Sequence, residues 1–172
     1  MSLEIERKFL LSSFPSEAKE YSCVEILQGY FLSPNTNKEC RVRKLIYHNN
    51  IVIEKAVYYL TKKSSGTISR EEKEVEISRD IFQILWDFTE DRRIKKNRYY
   101  FSVLKNSPLF WNIDVYFGRL EGLILAEIEI PSVDFELDIP NIIQKVLVRE
   151  VTDEDKYKNK NLSKESYDVL FL

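Results

Sequence analysis

The stretch Leu3-Glu4-Ile5-Glu6-Arg7-Lys8-Phe9 decides the fold, because its apolar and charged residues alternate with a period of two. In an extended chain, successive side chains point to opposite sides. Glu4, Glu6 and Lys8 therefore share one face of the stretch, while the opposite face is mostly apolar. The pattern predicts a β-strand that has one face to bury and one face made of formal charge.

The same pattern recurs along the chain and predicts a largely antiparallel β structure. Alternation predicts strands over 3–10, 38–47, 51–63, 68–77, 94–104, 111–118 and 123–130. Turn-forming residues, such as those of 34–37 and 64–66, separate these segments. The residues that stand in phase on the polar faces are charged: Arg41, Arg43, Arg70, Glu72, Glu74, Lys96, Arg98, Asp114, Glu127 and Glu129.

Helical signals are fewer than strand signals. Apolar residues recur at helical spacing over 79–90, directly after Ser78, which is a residue type that caps helices. Ser163 predicts a short final helix, and 15–26 and 140–148 are weaker helix candidates. The predicted fold class is α+β, with helices packed outside an antiparallel sheet.

Length and composition exclude several classes of protein. The 172 residues suit one domain over 1–172, and the four glycines form no glycine-rich nucleotide loop. A formal net charge of −2 argues against a nucleic-acid surface. The one histidine, His48, lies in a predicted turn, which argues against a zinc site or a Ser-His-Asp triad. With two cysteines and no signal peptide or membrane-length apolar stretch, we expect a cytoplasmic protein.

The charged faces allow two interpretations. For a single strand, such a face is usually the solvated outside of a sheet. Its repetition over most strands favours a sheet whose apolar face is covered by helices. The charged face then lines the lumen of a closed or nearly closed antiparallel β-barrel. A lumen that carries both signs suits a triphosphate with a divalent cation, because Lys and Arg bind phosphate oxygens and carboxylates bind hard metals.

The order of these motifs resembles the CYTH, or triphosphate tunnel metalloenzyme, superfamily, whose hallmark is an N-terminal Glu-x-Glu-x-Lys strand, here Glu4 to Lys8. The further matches follow in order: Gln28-Gly29-Tyr30, Arg41-Val42-Arg43, Leu60-Thr61-Lys62-Lys63, Arg70-Glu71-Glu72-Lys73-Glu74, Lys96-Asn97-Arg98, Asp114-Val115-Tyr116, Glu127-Ile128-Glu129, Glu150-Val151-Thr152 and Tyr157-Lys158-Asn159. The resemblance implies an eight-stranded triphosphate tunnel. By analogy with small bacterial-type members, it also implies a metal-dependent hydrolase of inorganic triphosphate.

The resemblance also implies roles for single residues. Mg²⁺ or Mn²⁺ would be held by Glu4, Glu6, Asp114, Glu127 and Glu129. The triphosphate would be bound by Lys8, Arg41, Arg43, Lys63, Arg70, Lys96, Arg98 and Lys158. The catalytic set would be Lys8, Glu127 and Asp114, with one of the two acids orienting the attacking water. Glu72 and Glu74 would be further lumen acids that either meet the ligand or satisfy the arginines, and Lys63 is preferred to Lys62 only if Tyr59 and Thr61 face inward.

Two alternatives to inorganic triphosphate hydrolysis stay open. Within the same superfamily, an adenylate cyclase or a thiamine triphosphatase would share the machinery and differ in the group transferred. In another class, a non-catalytic polyphosphate-binding module would need the basic residues but not the carboxylates. In each case we expect a small-molecule partner, no nucleic acid, no membrane, and a monomer or homodimer.

Overall fold

The computed structural model describes residues 5–31, 39–47, 55–63, 72–102 and 109–164. The strands are β1 Ile5–Leu11, β2 Ser22–Tyr30, β3 Glu39–Tyr47, β4 Lys55–Lys63, β5 Glu72–Glu76, β6 Arg93–Phe101, β7 Trp111–Tyr116, β8 Ile124–Ile130 and β9 Leu147–Glu150. The α-helices are α1 Arg79–Asp87, α2 Asn141–Gln144 and α3 Asn159–Leu162. Each of the seven predicted strands overlaps an observed strand, and β1 and β6 each extend one residue beyond the predicted bounds. Glu4, Arg70, His48 and the body of the predicted final helix lie outside the described residues.

Two predicted helices differ from the structure. The prediction over 15–26 is wrong, because only Ser16–Glu20 forms a short 3₁₀ helix and β2 begins at Ser22. The segment 140–148 contains the single turn of α2 and then enters β9. In both places the chain pairs with neighbouring strands, and that tertiary pairing overrides weak helical propensity. The helix after Ser78 is confirmed, since the Ser78 side chain accepts a hydrogen bond from the Ile81 amide at 3.2 Å.

All nine strands form one antiparallel sheet in the order β5-β4-β3-β2-β6-β7-β8-β1-β9. The predicted α+β class is therefore confirmed, with one strand more than the eight expected. In the part of the chain that the structure describes, no hydrogen-bonded pairing joins β5 to β9, so the closure of the sheet into a barrel is not confirmed. Over the same residues, no helix is long and apolar enough to cross a membrane.

The apolar face of the central strands forms the main core. Phe9 of β1 and Trp111 of β7 lie with ring centroids 5.5 Å apart, and Ile113, Ala126 and Ile128 are buried beside them. Ala18 of the 3₁₀ helix and Ile143 of α2 pack onto this face from outside. On the same side of the sheet, Phe82 of α1 packs against Tyr58 of β4 at 5.0 Å. Helices therefore cover the apolar face, as the sequence predicted.

The opposite, charged face is concave. Burial raises the pKa of Tyr30 on β2, and the positive charges of Arg41 and Lys8 oppose that shift. Lys8 lies on β1, four strands from β2 in the sheet order, which is roughly 19 Å in a flat sheet. An interaction over that many strands indicates that the charged face curves around a common interior.

One end of the concave face is filled by a second apolar cluster, which we call the apolar floor. Its members are Leu10, Ile94, Tyr116, Leu120, Leu123, Leu125, Val151, Tyr157 and Leu162. Leu10 and Leu125 are register partners on β1 and β8, and each is the next concave-face position after a charged residue. The three last members come from the chain after β9, which folds back across this end.

Candidate active site

The concave face carries two clusters of ion pairs on different strands. The buried cluster consists of Lys8, Lys96, Arg98, Asp114 and Glu127, on β1, β6, β7 and β8. The edge cluster consists of Arg41, Arg43, Lys63, Glu72 and Glu74, on β3, β4 and β5. Antiparallel register brings the members of each cluster together, because in-phase residues of neighbouring strands stand side by side.

In the buried cluster each carboxylate accepts from two cations. Asp114 receives the Lys96 ammonium at 2.5 Å and both Nε and Nη2 of Arg98 at 2.6 Å. Glu127 receives Arg98 Nη2 and the Lys8 ammonium, each at 2.7 Å. The three cations thus share these two carboxylates, and Lys8 also pairs with Glu6 at 3.1 Å.

Burial and neighbouring charge set the titration of this cluster. Burial lowers the pKa of Lys96 to about 8, with Arg98 adding to the effect and Asp114 and Glu127 opposing it. Burial would also lower the pKa of Lys8, but the carboxylates of Glu127 and Glu6 outweigh it and raise that pKa. Burial acts to raise the pKa of Glu127, yet Lys8, Arg98 and Lys96 hold it well below its usual range. Glu127 is therefore ionised at neutral pH.

The edge cluster is more open. Glu72 accepts from Lys63 at 2.6 Å and from Arg41 at 3.3 Å. Glu74 accepts from Arg43 and from the Thr61 hydroxyl, the latter at 2.7 Å. Thr61 and Tyr59 share the face of Lys63, so Lys63 rather than Lys62 lies on the charged face.

Two arginine groups of the edge cluster have an incomplete set of partners. The Nε atoms of Arg41 and Arg43 are buried and have no hydrogen-bond partner among the described residues. A buried N–H without an acceptor costs about 1–3 kcal/mol, so its presence calls for an explanation. An anion bound on the concave face would supply acceptors to both, and planar guanidinium groups suit phosphate oxygens.

Two uncharged side chains also lie on this face, and a search for charged residues could not identify them as part of the site. The buried Gln28 side chain donates to the hydroxyl of Tyr30, and both residues stand on β2 between the two clusters. Gln28 is the register partner of Arg43, and Tyr30 that of Arg41. Their signal in the sequence was the motif Gln28-Gly29-Tyr30, which the family resemblance matched to the opening of a strand, whereas periodicity alone predicted no strand there.

The four described carboxylates among the predicted metal ligands stand in two places on this face. Glu6 and Glu129 are register partners on β1 and β8, and Glu6 accepts from Lys8 at 3.1 Å. Asp114 and Glu127 would reach a metal only by giving up cation contacts. Over the described ranges no group of three or more His, Cys, Asp or Glu side chains is close enough to hold a metal ion. Oxygen donors at Glu6 and Glu129 fit a hard divalent cation in chemistry, and Glu4, one position before β1, lies outside the described residues.

Of the two remaining predicted phosphate ligands, Lys158 is not brought into either cluster, and Arg70 lies outside the described residues. Lys158 pairs with Asp155 at 2.5 Å, and both side chains are largely exposed. Arg70 precedes the first described residue of β5. The structure thus brings together Lys8, Arg41, Arg43, Lys63, Lys96 and Arg98 of the predicted set, while Lys158 stays a prediction with a different contact.

Known proteins are similar to this chain over nearly its whole length. The CYTH domain profile matches residues 2–167. An inorganic triphosphatase of Nitrosomonas europaea is 38% identical over 161 residues, which is 93% of this chain and 96% of that protein. An inorganic triphosphatase of Acetivibrio thermocellus is 35% identical over 171 residues, covering 97% of each.

Solved structures are also similar to this chain. The crystal structure of the inorganic triphosphatase NE1496 superposes with a TM-score of 0.65 at 34% identity and covers 95% of both chains. A Hippeastrum protein, named for adenylyl cyclase with a dominant triphosphatase activity, gives a TM-score of 0.54 at 15% identity over 76% of this chain and 80% of its own. That similarity concerns the fold alone. With the profile and the relatives taken together, this chain belongs to the CYTH domain family.

Proposed function

We propose that this chain, as a single domain, hydrolyses inorganic triphosphate with the help of Mg²⁺ or Mn²⁺. The observation that carries the proposal is the concave face itself, where six cationic side chains converge and two buried arginine N–H groups have no acceptor among the described residues. The relatives at 35–38% identity are named inorganic triphosphatases, which supports the same substrate. We further propose that the curved sheet encloses the substrate as a tunnel.

The two clusters would bind the substrate in different ways. In the edge cluster, phosphate oxygens would take the place of Glu72 and Glu74 as acceptors for Arg41 and Arg43, including their Nε atoms. In the buried cluster, Lys8, Lys96 and Arg98 are held by their carboxylates and would present a fixed positive field. Such preorganised charge is the main source of catalysis in phosphoryl transfer.

A divalent cation would be held by Glu6 and Glu129, with Glu4 as the further ligand that the sequence motif supplies. Bound there, it would neutralise charge on the phosphate oxygens. Lys8 stands between this acidic pair and Glu127, so its ammonium would bind the same part of the substrate. Arg98 and Lys96 would take up charge that develops on the bridging oxygen as the bond breaks.

The reaction transfers a phosphoryl group to water. The water oxygen forms a bond to a terminal phosphorus, the bridging P–O bond breaks, and pyrophosphate, orthophosphate and a proton are released. Glu127 is ionised but strongly stabilised by its cations, which makes it a poor base. We therefore propose that Glu127 and Asp114 act mainly by holding Lys8, Lys96 and Arg98 in place, and that solvent takes the proton.

The test is an assay of orthophosphate release from inorganic triphosphate, ATP and thiamine triphosphate, with Mg²⁺, with Mn²⁺ and with EDTA. We expect inorganic triphosphate to give the highest kcat/KM and EDTA to abolish the activity. Glu6→Gln should lower kcat/KM by at least about 100-fold, since even loss of residues around a metal's own ligands costs about 10–100-fold. Glu20→Gln, at an exposed position outside the site, is the matched control.

Each other outcome points to a named alternative. Formation of cyclic AMP would assign a cyclase, and preference for thiamine triphosphate would assign that hydrolase. Binding of inorganic triphosphate without turnover of any substrate would assign a non-catalytic binding module. Activity that survives both EDTA and Glu6→Gln would contradict the metal-dependent proposal.

A further inference from the structure

The apolar floor closes one end of the charged interior. Lys8, Glu127, Asp114 and Lys96 of the buried cluster are each followed, two residues further in the same spatial direction, by a floor residue. In the same order these floor residues are Leu10, Leu125, Tyr116 and Ile94. A ligand that lies along the cationic side chains therefore meets apolar side chains as soon as it passes the buried cluster.

The chain after β9 completes the floor and is fastened to the strand that carries Lys8. The Val151 amide donates to the Lys8 carbonyl at 2.8 Å, and the Lys8 amide donates to the Thr152 hydroxyl at 3.0 Å. Further along, the Tyr116 hydroxyl donates to the Asn159 side chain at 2.7 Å. Val151, Tyr157 and Leu162 are fully buried as a result. The floor is thus a packed part of the fold, held on two sides by hydrogen bonds.

An apolar wall of this kind is a strong barrier to a phosphate chain. Every phosphoryl unit carries negative charge, and burial of an unpaired charge costs several kcal/mol even after the protein relaxes. The floor offers aliphatic carbon and aromatic rings, and its two hydroxyls already have partners: that of Tyr116 donates to Asn159, and that of Tyr157 accepts from Arg149 at 3.4 Å. A linear phosphate can therefore fill the cationic interior but cannot continue through the floor.

We propose that the apolar floor blocks the passage of a linear phosphate through the charged interior. The phosphate chain therefore enters end-first from the side opposite the floor and does not pass through. This inference rests on the proposed function. Its consequence is that only terminal phosphoryl groups of a longer polyphosphate reach the site, and that the fragments of every cleavage leave through the same opening. A longer chain must withdraw before its new end can enter, so any action on long chains is distributive.

The first test follows wild-type protein on an end-labelled long-chain polyphosphate, with excess inorganic triphosphate added as a trap after the reaction starts. We expect either no cleavage of the long chain or stepwise shortening that the trap stops at once. Internal cleavage, or complete degradation that continues through the trap, would overturn the inference. Failure to hydrolyse inorganic triphosphate itself would instead contradict the proposed function, so the two failures are distinguishable.

The second test assigns this block to the floor. Leu162→Ala removes buried side chain from the floor, and Ile143→Ala removes a similar volume from the core on the other side of the sheet. The ratio of kcat/KM for inorganic tetraphosphate to that for triphosphate should rise several-fold in Leu162→Ala and stay at the wild-type value in Ile143→Ala. Circular dichroism confirms that both variants fold. An equal ratio in the two folded variants would show that a feature other than the floor limits how far a linear phosphate enters the site.

If Leu162→Ala does not fold, Tyr157→Leu takes its place, because it keeps an apolar residue in the floor while removing the ring. The same ratio is measured against the same control. A ratio that does not change in Tyr157→Leu would also contradict the proposal that the floor blocks the passage.

Discussion

The two ion-pair clusters of the concave face have similar composition but very different surroundings. In the buried cluster Lys96, Asp114 and Glu127 are 2%, 0% and 2% exposed. In the edge cluster the side chains of Arg43 and Glu74 are 19% and 31% exposed, and β5 is the last strand of the sheet. The same kinds of ion pair therefore occur once on strands that have neighbours on both sides and once beside an end strand of the sheet.

The difference in burial separates structure from binding. Loss of one partner of a buried pair leaves an uncompensated charge and costs about 3–5 kcal/mol, whereas a solvent-exposed pair contributes about 0–1 kcal/mol. The buried cluster must keep its own carboxylates to stay folded. The pairs of the edge cluster are partly buried and lie between these two limits, so an incoming anion can replace a carboxylate there at a lower cost in stability than in the buried cluster. The comparison predicts that the ion pairs of the buried cluster stay intact when a substrate binds, whereas phosphate oxygens replace the carboxylates of the edge cluster.

The largest expected effect is on stability, in Asp114→Asn. The change leaves Lys96 and Arg98 without their shared carboxylate in a fully buried place. We expect the free energy of unfolding to fall by about 3–5 kcal/mol. Urea denaturation at pH 7 measures it. Asp155→Asn, which breaks the exposed pair with Lys158, is the control and should change stability by about 0–1 kcal/mol.

A small effect of Asp114→Asn would remove the basis of the comparison. If the two variants were equally stable, the buried cluster would be as exchangeable as the edge cluster. The carboxylate of Asp114 would then be free to meet a metal ion, as the sequence resemblance implied.

The second prediction concerns affinity, at Arg43. Arg43→Gln removes a guanidinium whose Nε has no acceptor among the described residues, so the loss should appear when the anion binds. A hydrogen bond to a charged group is worth about 1.5–3 kcal/mol, which corresponds to an affinity for inorganic triphosphate about 10–150-fold lower. Calorimetric titration measures it, and the free energy of unfolding should change by less than about 1 kcal/mol.

Glu74→Gln is the matched partner of that variant. If Glu74 only occupies Arg43 until an anion arrives, its loss should leave the affinity for inorganic triphosphate unchanged or make it higher. An affinity that falls as far as in Arg43→Gln would contradict the exchange model. It would give Glu74 a direct part in the bound state.

Much of this site could be predicted from the sequence, because strand parity is a local property. Alternation places Lys8, Arg41, Arg43, Lys96 and Arg98 on the charged faces of their strands, and all five lie on the concave face. The choice of Lys63 over Lys62 needed the orientation of Tyr59 and Thr61, which the structure supplies. Parity does not say which carboxylate meets which cation. That depends on the register between strands, such as the pairing of Arg98 with Asp114, which distant parts of the chain determine.

The missed elements are those whose structure depends on partners. In β2, concave-face positions change from apolar Val24 and Ile26 to polar Gln28 and Tyr30, so no single face of the strand stands out. The short β9 is held by its pairing with β1, in which Glu150 lies opposite Phe9 and Arg149 opposite Leu10. The apolar floor was missed for the same reason, since Val151, Tyr157 and Leu162 acquire a common neighbour only when the chain folds back.

The third prediction is a loss of stability in acid. The pKa of Glu127 is lower in the folded protein than the ordinary value of 4.5, so the folded state binds fewer protons than the unfolded chain. Stability from this group is complete above that ordinary value and falls as pH decreases below it. Glu127→Gln should be less stable at pH 7 and should lose less stability on acidification. Urea denaturation over about pH 5 to pH 3 measures the slope, and a variant slope equal to that of Glu20→Gln and of the wild type would contradict the assignment.

The smallest expected effect is proton uptake at Lys96. Its pKa of about 8 means that, near that pH, a large part of the population carries a neutral amine in the free protein. A bound triphosphate adds negative charge nearby, raises that pKa and so draws in a proton, less than one per molecule. Titration calorimetry in buffers of different ionisation enthalpy measures the uptake at about pH 8, and Lys96→Arg, which stays charged, corrects for protons released by the ligand itself. Equal proton exchange in the two proteins would mean that Lys96 is already fully charged before the ligand arrives, and the buried cluster would then be as fixed in its protonation as it is in its geometry.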